Sequence, residues 1–280
     1  MRILLAGGSG AIARQLIPLL TAAGHDVFAT TRKRDRLAAI GAIGGEPIQL
    51  DALDRSGVLA TVASLRPEVI MHQLTDLAEG VGPGNATVRI QGTRNLVDAA
   101  RATRVDRMIA QSIAWVVAPG ITLATETDPL DPDPSEPRAG TIAAVRALEK
   151  ATFELKQGIV LRYGQLYGPG TWYARDGKFG LAAMQGNLPA TPVIANLLHI
   201  RDAARAAVAA LDWSPGLVNV VDDLPAPGTD WIPTFAAALG GPPPPVQDAP
   251  QTGRPISNAK MHGLGFALDY PTWQHGFQTL

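Results

Sequence analysis

Through the first 165 positions, apolar residues fall into short runs of four to six, each followed by a longer stretch with apolar residues at helical spacing. A short apolar run bounded by turn residues has the length of a buried strand, and a 3.6-residue period marks one buried helix face. The alternation predicts strands at 2–6, 26–31, 46–50, 68–73, 106–112 and 158–163, with helices at 11–23, 33–41, 54–65, 84–103 and 139–156. In the helix at 84–103, Val88, Leu96, Val97 and Ala100 share a face, and Gly84 or Asn85 can cap its start. Repeated strand–helix–strand units predict an α/β fold, a doubly wound parallel sheet with helices on both faces. After 165 the pattern loosens. The expected division is a main domain at 1–165 and a small, discontinuous C-terminal cap at 166–280, with segments near 197–222 returning to the main domain. The Pro-rich stretches at 129–137 and 240–245 read as a surface loop and as a turn with an extended linker, because Pro lacks an amide donor.

Composition narrows the partners. With 280 residues, 46% hydrophobic and 18% charged, the chain has the make-up of an ordinary globular protein. A net charge of −1 gives no electrostatic reason to expect nucleic acid or an anionic membrane. Cysteine is absent, which excludes disulfides, thiolate catalysis and Cys-ligated metals. No His or carboxylate cluster has metal-ligand spacing. The apolar N-terminal run is interrupted by Gly-Gly-Ser-Gly, too early for an export signal or a membrane span. The expectation is a cytoplasmic protein acting on a small-molecule substrate, with a homodimer as its compatible assembly.

The candidate chemistry begins at "AGGSGAIA", residues 6–13, between the first strand and the first helix. Gly7 permits the tight turn, Gly10 lets backbone approach a pyrophosphate, and Ala13 stands where a third small residue allows close helix packing. The helix N-terminus then offers amide donors to phosphate. This assigns Gly7, Ser9, Gly10, Ala11 and Ile12 to a dinucleotide. The second strand ends in Thr31, Arg32, Lys33 and Arg34 rather than in a carboxylate. Guanidinium and ammonium groups hold a 2′-phosphate that a carboxylate would repel, so NADP is expected, with NAD possible.

These residues resemble the extended or atypical short-chain dehydrogenase/reductase superfamily, the group of NAD-dependent epimerases and dehydratases with a Rossmann-like fold. The likeness runs through "QLDALD", "MHQLT" at 71–75, "IQGTRNLVDAA" at 90–100, "IVLRYGQLYGPGT" at 159–171, "LLHIRDAARAAVAAL" at 197–211 and "GLVNVVDD" at 216–223. It implies adenine contacts at Asp51 and Ala52, and nicotinamide-side contacts at Leu74, Thr75, Arg89 and Tyr163.

The resemblance also implies a Tyr-x-x-x-Lys pair and a nearby Ser or Thr, and here the chain departs. Thr141 stands at the Tyr position and Val145 at the Lys position. Ser112 survives beside the usual hydroxyl position, now Ile113, and Arg89 replaces an Asn. A Thr hydroxyl is a far weaker acid than a phenol, so Thr141 does not inherit the role. The catalytic candidates are then Ser112, Thr141 and Tyr173, the last within the lid-like "YGPGTWYARDGKFG" at 167–180, where Arg175 and Lys178 offer charge to an anionic substrate. His72 and His199 read as structural, and Asp202 as a helix N-cap. The expected function is an NADP-dependent oxidoreductase acting without the Tyr/Lys relay. The alternatives are a non-redox lyase or isomerase and a non-catalytic NADP-sensing protein.

Overall fold

The computed structural model describes residues 1–76, 83–250 and 253–280. The first half alternates as the hydrophobic pattern requires: β1 (Arg2–Ala6), α1 (Ala11–Ala22), β2 (Asp26–Thr31), α2 (Leu37–Ala42), β3 (Glu46–Gln49), α3 (Arg55–Leu65) and β4 (Val69–His72). It continues with α4 (Pro83–Thr87), α5 (Thr93–Thr103), β5 (Arg107–Ile113), α6 (Arg138–Thr152) and β6 (Gln157–Tyr163). Then follow β7 (Gln165–Tyr167), α7 (Lys178–Met184), β8 (Ile194–Ala195), β9 (Leu197–His199), α8 (Ile200–Ala209), β10 (Gly216–Val220), β11 (Ala226–Pro227), α9 (Gly228–Ala238), α10 (Ala259–Gly263) and α11 (Trp273–Gly276). No helix among the described residues is long and apolar enough to cross a membrane.

The main sheet has seven strands in the order β10-β6-β5-β4-β1-β2-β3, and the pairs from β3 through β2, β1 and β4 to β5 are parallel. The winding direction reverses between β1 and β4, which makes that pair the topological switch point of the sheet. One sheet face packs Leu4, Ile70 and Met108 against Val62 of α3, Val97 of α5 and Leu148 of α6, all essentially inaccessible to water. Helix α3 starts where expected because the Asp54 carboxylate accepts from the Gly57 amide at 3.0 Å.

The chain divides into two compact units. The first comprises Met1–Ser112, Asp133–Leu161 and Ala207–Leu217; the second comprises Ile113–Pro132, Arg162–Ala206 and Val218–Leu280. The second unit has its own aromatic core, in which Tyr167, Trp231, Phe235 and Phe277 meet edge-on or tilted.

Three local expectations change. The helix at 84–103 is three pieces, because a π turn (Val88–Gly92) separates α4 from α5. Within it the Thr93 hydroxyl takes the Arg89 carbonyl, and this back-bonding competes with the regular ladder. Asp202 is no N-cap: α8 begins two residues earlier, and the fully buried Asp202 carboxylate accepts from the amides of Asp269 and Tyr270, each at 2.9 Å, and from Arg205 at 2.8 Å. It fastens the C-terminal segment to α8. Arg175 is likewise engaged, donating to the Leu239 and Leu280 carbonyls at 3.2 and 3.3 Å, where it closes the end of α9. His199 is structural as expected, accepting from the Arg201 amide and stacking on Tyr270 at 3.8 Å, and burial drives its pKa down to about 4.

Replacing Asp202 with Ala orphans two tail amides and removes one of the two carboxylates paired with Arg205, Asp269 remaining at 3.0 Å, so the variant should lose about 2–4 kcal/mol of stability in chemical denaturation. A loss under about 0.5 kcal/mol, the level of an ordinary surface change, would show that the tail is held by something else.

Candidate active site

The site is assembled at the carboxyl ends of β1, β2 and β4. At the end of β1, Gly7 adopts φ +96°, a conformation disfavoured for side-chain-bearing residues. A Cβ there would stand 2.6 Å from the Gln73 carbonyl oxygen on the neighbouring strand. Gly8, which the motif alone does not single out, lies as close to β2: its Cβ would stand 2.6 Å from that of Ala29. The Gly8 amide is tied to the Thr30 carbonyl at 2.8 Å and the Gly10 amide to the Gly7 carbonyl at 3.0 Å, so the loop is held rigidly. Gly10 then precedes α1 with no side chain capping it and no acidic residue in the first turn. A helix N-terminus left this way, above a side-chain-free turn, fits a pyrophosphate. Ser9, Ala11 and Ile12 complete the turn, and the Ser9 hydroxyl is 3.1 Å from that of Thr31.

At the end of β2 the Thr31 hydroxyl also accepts from the Lys33 amide at 3.2 Å, which shapes the bend that exposes Arg32 and Lys33. Arg32 reaches Asp76, just past β4, in a half-exposed ion pair of 2.9 Å. Asp51 is exposed and accepts from the Leu53 amide, while the Ala52 carbonyl takes the Asn95 side chain of α5 at 2.8 Å. These loops therefore sit beside one another along one edge of the first unit.

A buried chain of hydrogen bonds fixes the far side. The Leu74 amide donates to His72 Nδ1 at 3.2 Å, so the proton of the neutral ring lies on Nε2, which donates to the Thr93 hydroxyl at 2.8 Å; Thr93 in turn donates to the Arg89 carbonyl. Burial, reinforced by the Arg89 charge, depresses the His72 pKa to about 3, so the ring stays neutral. Arg89 is itself buried in the π turn, and burial lowers its guanidinium pKa to about 10. Leu74 packs near Gly92 of that turn, and Thr75 is exposed.

Of the expected catalytic groups, Ser112 and Thr141 belong to the first unit and Tyr173 to the second. Ser112 is 0% exposed and donates to the Glu149 carboxylate of α6 at 2.8 Å, so its hydroxyl faces the interior and its substrate-facing assignment is withdrawn. Thr141 is partly exposed on α6, and Val145, at the family's Lys position, is 0% exposed in the helix's packed face. Tyr163 and Tyr173 belong to the second unit. The Tyr163 hydroxyl donates to the Ala203 carbonyl at 3.1 Å and its ring is buried. Tyr173 is stacked on Phe179 at 4.6 Å and flanked by Trp231 and Phe235. Burial raises its pKa above the ordinary phenol range, which makes it a poor proton donor and a good apolar wall.

One polar group escaped sequence reasoning. Gln73 is 4% exposed, and neither its side-chain oxygen nor its nitrogen has a hydrogen-bond partner among the described residues. Its only signal was a single amide closing the apolar run Val69-Ile70-Met71-His72-Gln73.

Residues 3–220 match the model of the NAD dependent epimerase/dehydratase family. The chain is 40% identical over 306 residues to a 3-diazoavenalumate denitrifying reductase of a Streptomyces species, covering 99% of each. A ketoreductase of Stigmatella aurantiaca, acting on 4-hydroxy-2-methyl-3-oxo-4-farnesyl-3,4-dihydroquinoline-1-oxide, is 29% identical over 160 residues, 55% of this chain and 46% of that protein. Among solved structures, the UDP-glucose 4-epimerase of Thermus thermophilus in complex with NAD superposes with a TM-score of 0.79 at 24% identity, covering 100% of this chain and 97% of that one. The corresponding epimerase of Thermotoga maritima, with UDP-glucose, gives 0.82 at 17% identity with the same coverage. The two epimerases share the fold, and the family match and the full-length relative add the chemistry carried by the glycine turn: the chain belongs to the NAD dependent epimerase/dehydratase family and is an NAD(P)-dependent oxidoreductase.

Proposed function

We propose that the chain is an NADPH-dependent reductase whose substrate accepts a hydride at a centre needing no proton from the protein, an arenediazonium or comparably charged electrophile. The observation that carries this reading is the packing of the relay positions. Val145 is core where an ammonium would stand, the Ser112 hydroxyl is turned inward to Glu149, and burial holds the proton of Tyr173. A ketone reduced in such a site would leave an unprotonated alkoxide, a poor product without a donor. A diazonium carries its own positive charge and its own leaving group.

The bound dihydronicotinamide would supply the hydride. The balance then closes without a proton: the hydride pair forms the new C–H bond, the C–N bond breaks, and its electrons depart with dinitrogen. The full-length relative supports this choice, since its name pairs a diazo acid with a denitrifying reduction. The protein's task is to bind and orient. Gly7, Gly8 and the first amides of α1 hold the pyrophosphate, and the His72–Thr93–Arg89 chain keeps the β4 end rigid beside it.

The preference for NADPH rests on the end of β2. Arg32, Lys33 and Arg34 are exposed there, and no carboxylate precedes them. The Arg32–Asp76 pair is no obstacle, because a half-exposed ion pair contributes only about 0–1 kcal/mol and a dianionic phosphate competes well for the guanidinium.

The direct test supplies a diazotised aminohydroxyphenyl acid with NADPH deuterated at the transferring position. Enzyme-dependent NADPH oxidation, dinitrogen release and deuterium at the former C–N carbon are expected; cofactor oxidation that follows a ketone panel but ignores the diazonium would refute the reading. Turnover should be flat from about pH 5.5 to about pH 7, since His72 has already lost its proton and Tyr173 keeps its own across that window. The window stops below the range where buried Asp222, held up to about 8 by burial, ionises. A rate falling tenfold per pH unit there would reveal a proton donor. Arg32→Ala should raise the NADPH KM about 10–100-fold and leave NADH within about threefold; equal losses for both would remove the 2′-phosphate contact.

A further inference from the structure

A buried positive charge needs a counter-charge, because a protein interior stabilises a lone guanidinium far less than water does. Arg89 is 6% exposed, burial is the one influence that shifts its acidity, and among the described residues no carboxylate pairs with it. Its surroundings supply no anion. His72, whose neutral ring feels the Arg89 charge, has both nitrogens engaged by Leu74 and Thr93. The π turn that carries Arg89 packs against α6, the helix of Thr141 and Val145, and the carboxylate buried on that helix, Glu149, accepts from Ser112.

The chemistry of the side chain specifies the complement. Even with its pKa lowered to about 10, the guanidinium is charged at neutral pH; it offers N–H donors and no acceptor. An anionic oxygen satisfies it, and a neutral donor group does not. Because the charge is buried, its attraction for such an oxygen is little screened.

This fixed charge also selects among diazonium substrates. A bare arenediazonium would arrive as a second cation and be repelled. An arenediazonium bearing an ionised hydroxyl in conjugation with the reacting carbon, a quinone diazide, is neutral overall and has an oxygen to present. During reduction the hydride pair forms the C–H bond and dinitrogen leaves with the C–N electrons. The oxygen meanwhile passes from quinone-like carbonyl to full aryloxide, so its attraction to a guanidinium grows as the reaction proceeds. Neutral diazide plus hydride gives aryloxide plus dinitrogen, and the protein gives up no proton.

Resting on the diazonium reading above, we propose that Arg89 is a catalytic residue whose guanidinium binds the aryloxide oxygen of an oxyarenediazonium substrate and stabilises the charge that hydride transfer places there.

The test compares wild type with Arg89→Gln, Arg89→Met and Arg89→Lys on two substrates: an ortho-hydroxyarenediazonium, which is the quinone diazide at neutral pH, and its O-methyl ether, which stays cationic. Wild type should favour the quinone diazide in kcat/KM by about 100-fold, although the ether is the stronger electrophile in solution. Arg89→Gln and Arg89→Met should lose about 100–1000-fold with the quinone diazide and abolish or invert that preference, and Arg89→Lys should recover part of it. Binding gives an independent reading. Titrated into the NADP⁺-loaded protein and followed by its own absorbance, the quinone diazide should bind about 10–100-fold more weakly to Arg89→Gln than to wild type. Calorimetric NADP⁺ affinity should move less than about threefold, and Arg89→Met, relieved of an unpaired charge, should melt without ligand at or above the wild-type temperature.

The inference is overturned if Arg89→Gln keeps the wild-type substrate preference, or if NADP⁺ affinity falls as far as quinone diazide affinity, which would put the guanidinium on the cofactor. A lower melting temperature for Arg89→Met would reveal an internal partner and overturn it too. Wild type that reduces neither diazonium refutes the parent reading as well, whereas wild type that reduces both alike refutes only the role of Arg89.

Discussion

The close approach of two backbones at the switch point governs this molecule. The turn after β1 and the first peptide beyond β4 pass so near one another that a single methyl group on Gly7 would lie 2.6 Å from the Gln73 carbonyl, and the turn also needs a positive φ. Only a chain without side chains at that point can both close the turn and start α1 with its amides uncovered. The uncapped helix end, the exposed basic residues beyond β2 and the buried carboxamide beyond β4 all take their positions from that turn.

Beside this cradle, side chains of β5 and α6 are taken up by packing. On α6 the residues that a Tyr-x-x-x-Lys pair would occupy are a partly exposed Thr141 and a buried Val145, and the Ser112 that could have joined them secures α6 to β5 through Glu149. Burying an ammonium in that apolar face would be strongly unfavourable without a partner, so an apolar Val145 suits the packed side of α6.

Rigidity on the β4 side has a separate origin. His72, Thr93 and Arg89 form a continuous buried chain, and burial, by keeping His72 neutral, fixes its tautomer. The same bonds hold open the π turn that interrupts the helix, so the irregularity and the order around it have one cause.

Much of this was readable from local information. Apolar run lengths and the 3.6-residue period located six of the seven strands of the sheet and the helices around them, since burial on one face or both leaves a periodic trace in the chain. The glycine motif and the basic stretch after β2 were legible too, because turn geometry and charge act over a few neighbouring residues. Tertiary structure alone decided what each isolated polar side chain does. Ser112 meets a carboxylate 37 positions away, Asp202 meets amides 67 and 68 positions away, and Arg175 closes a helix 64 positions on. The Gln73 carboxamide has no hydrogen-bond partner among the described residues. A hydrogen bond joins groups that folding brings within about 3 Å, and spacing along the chain carries no record of that distance.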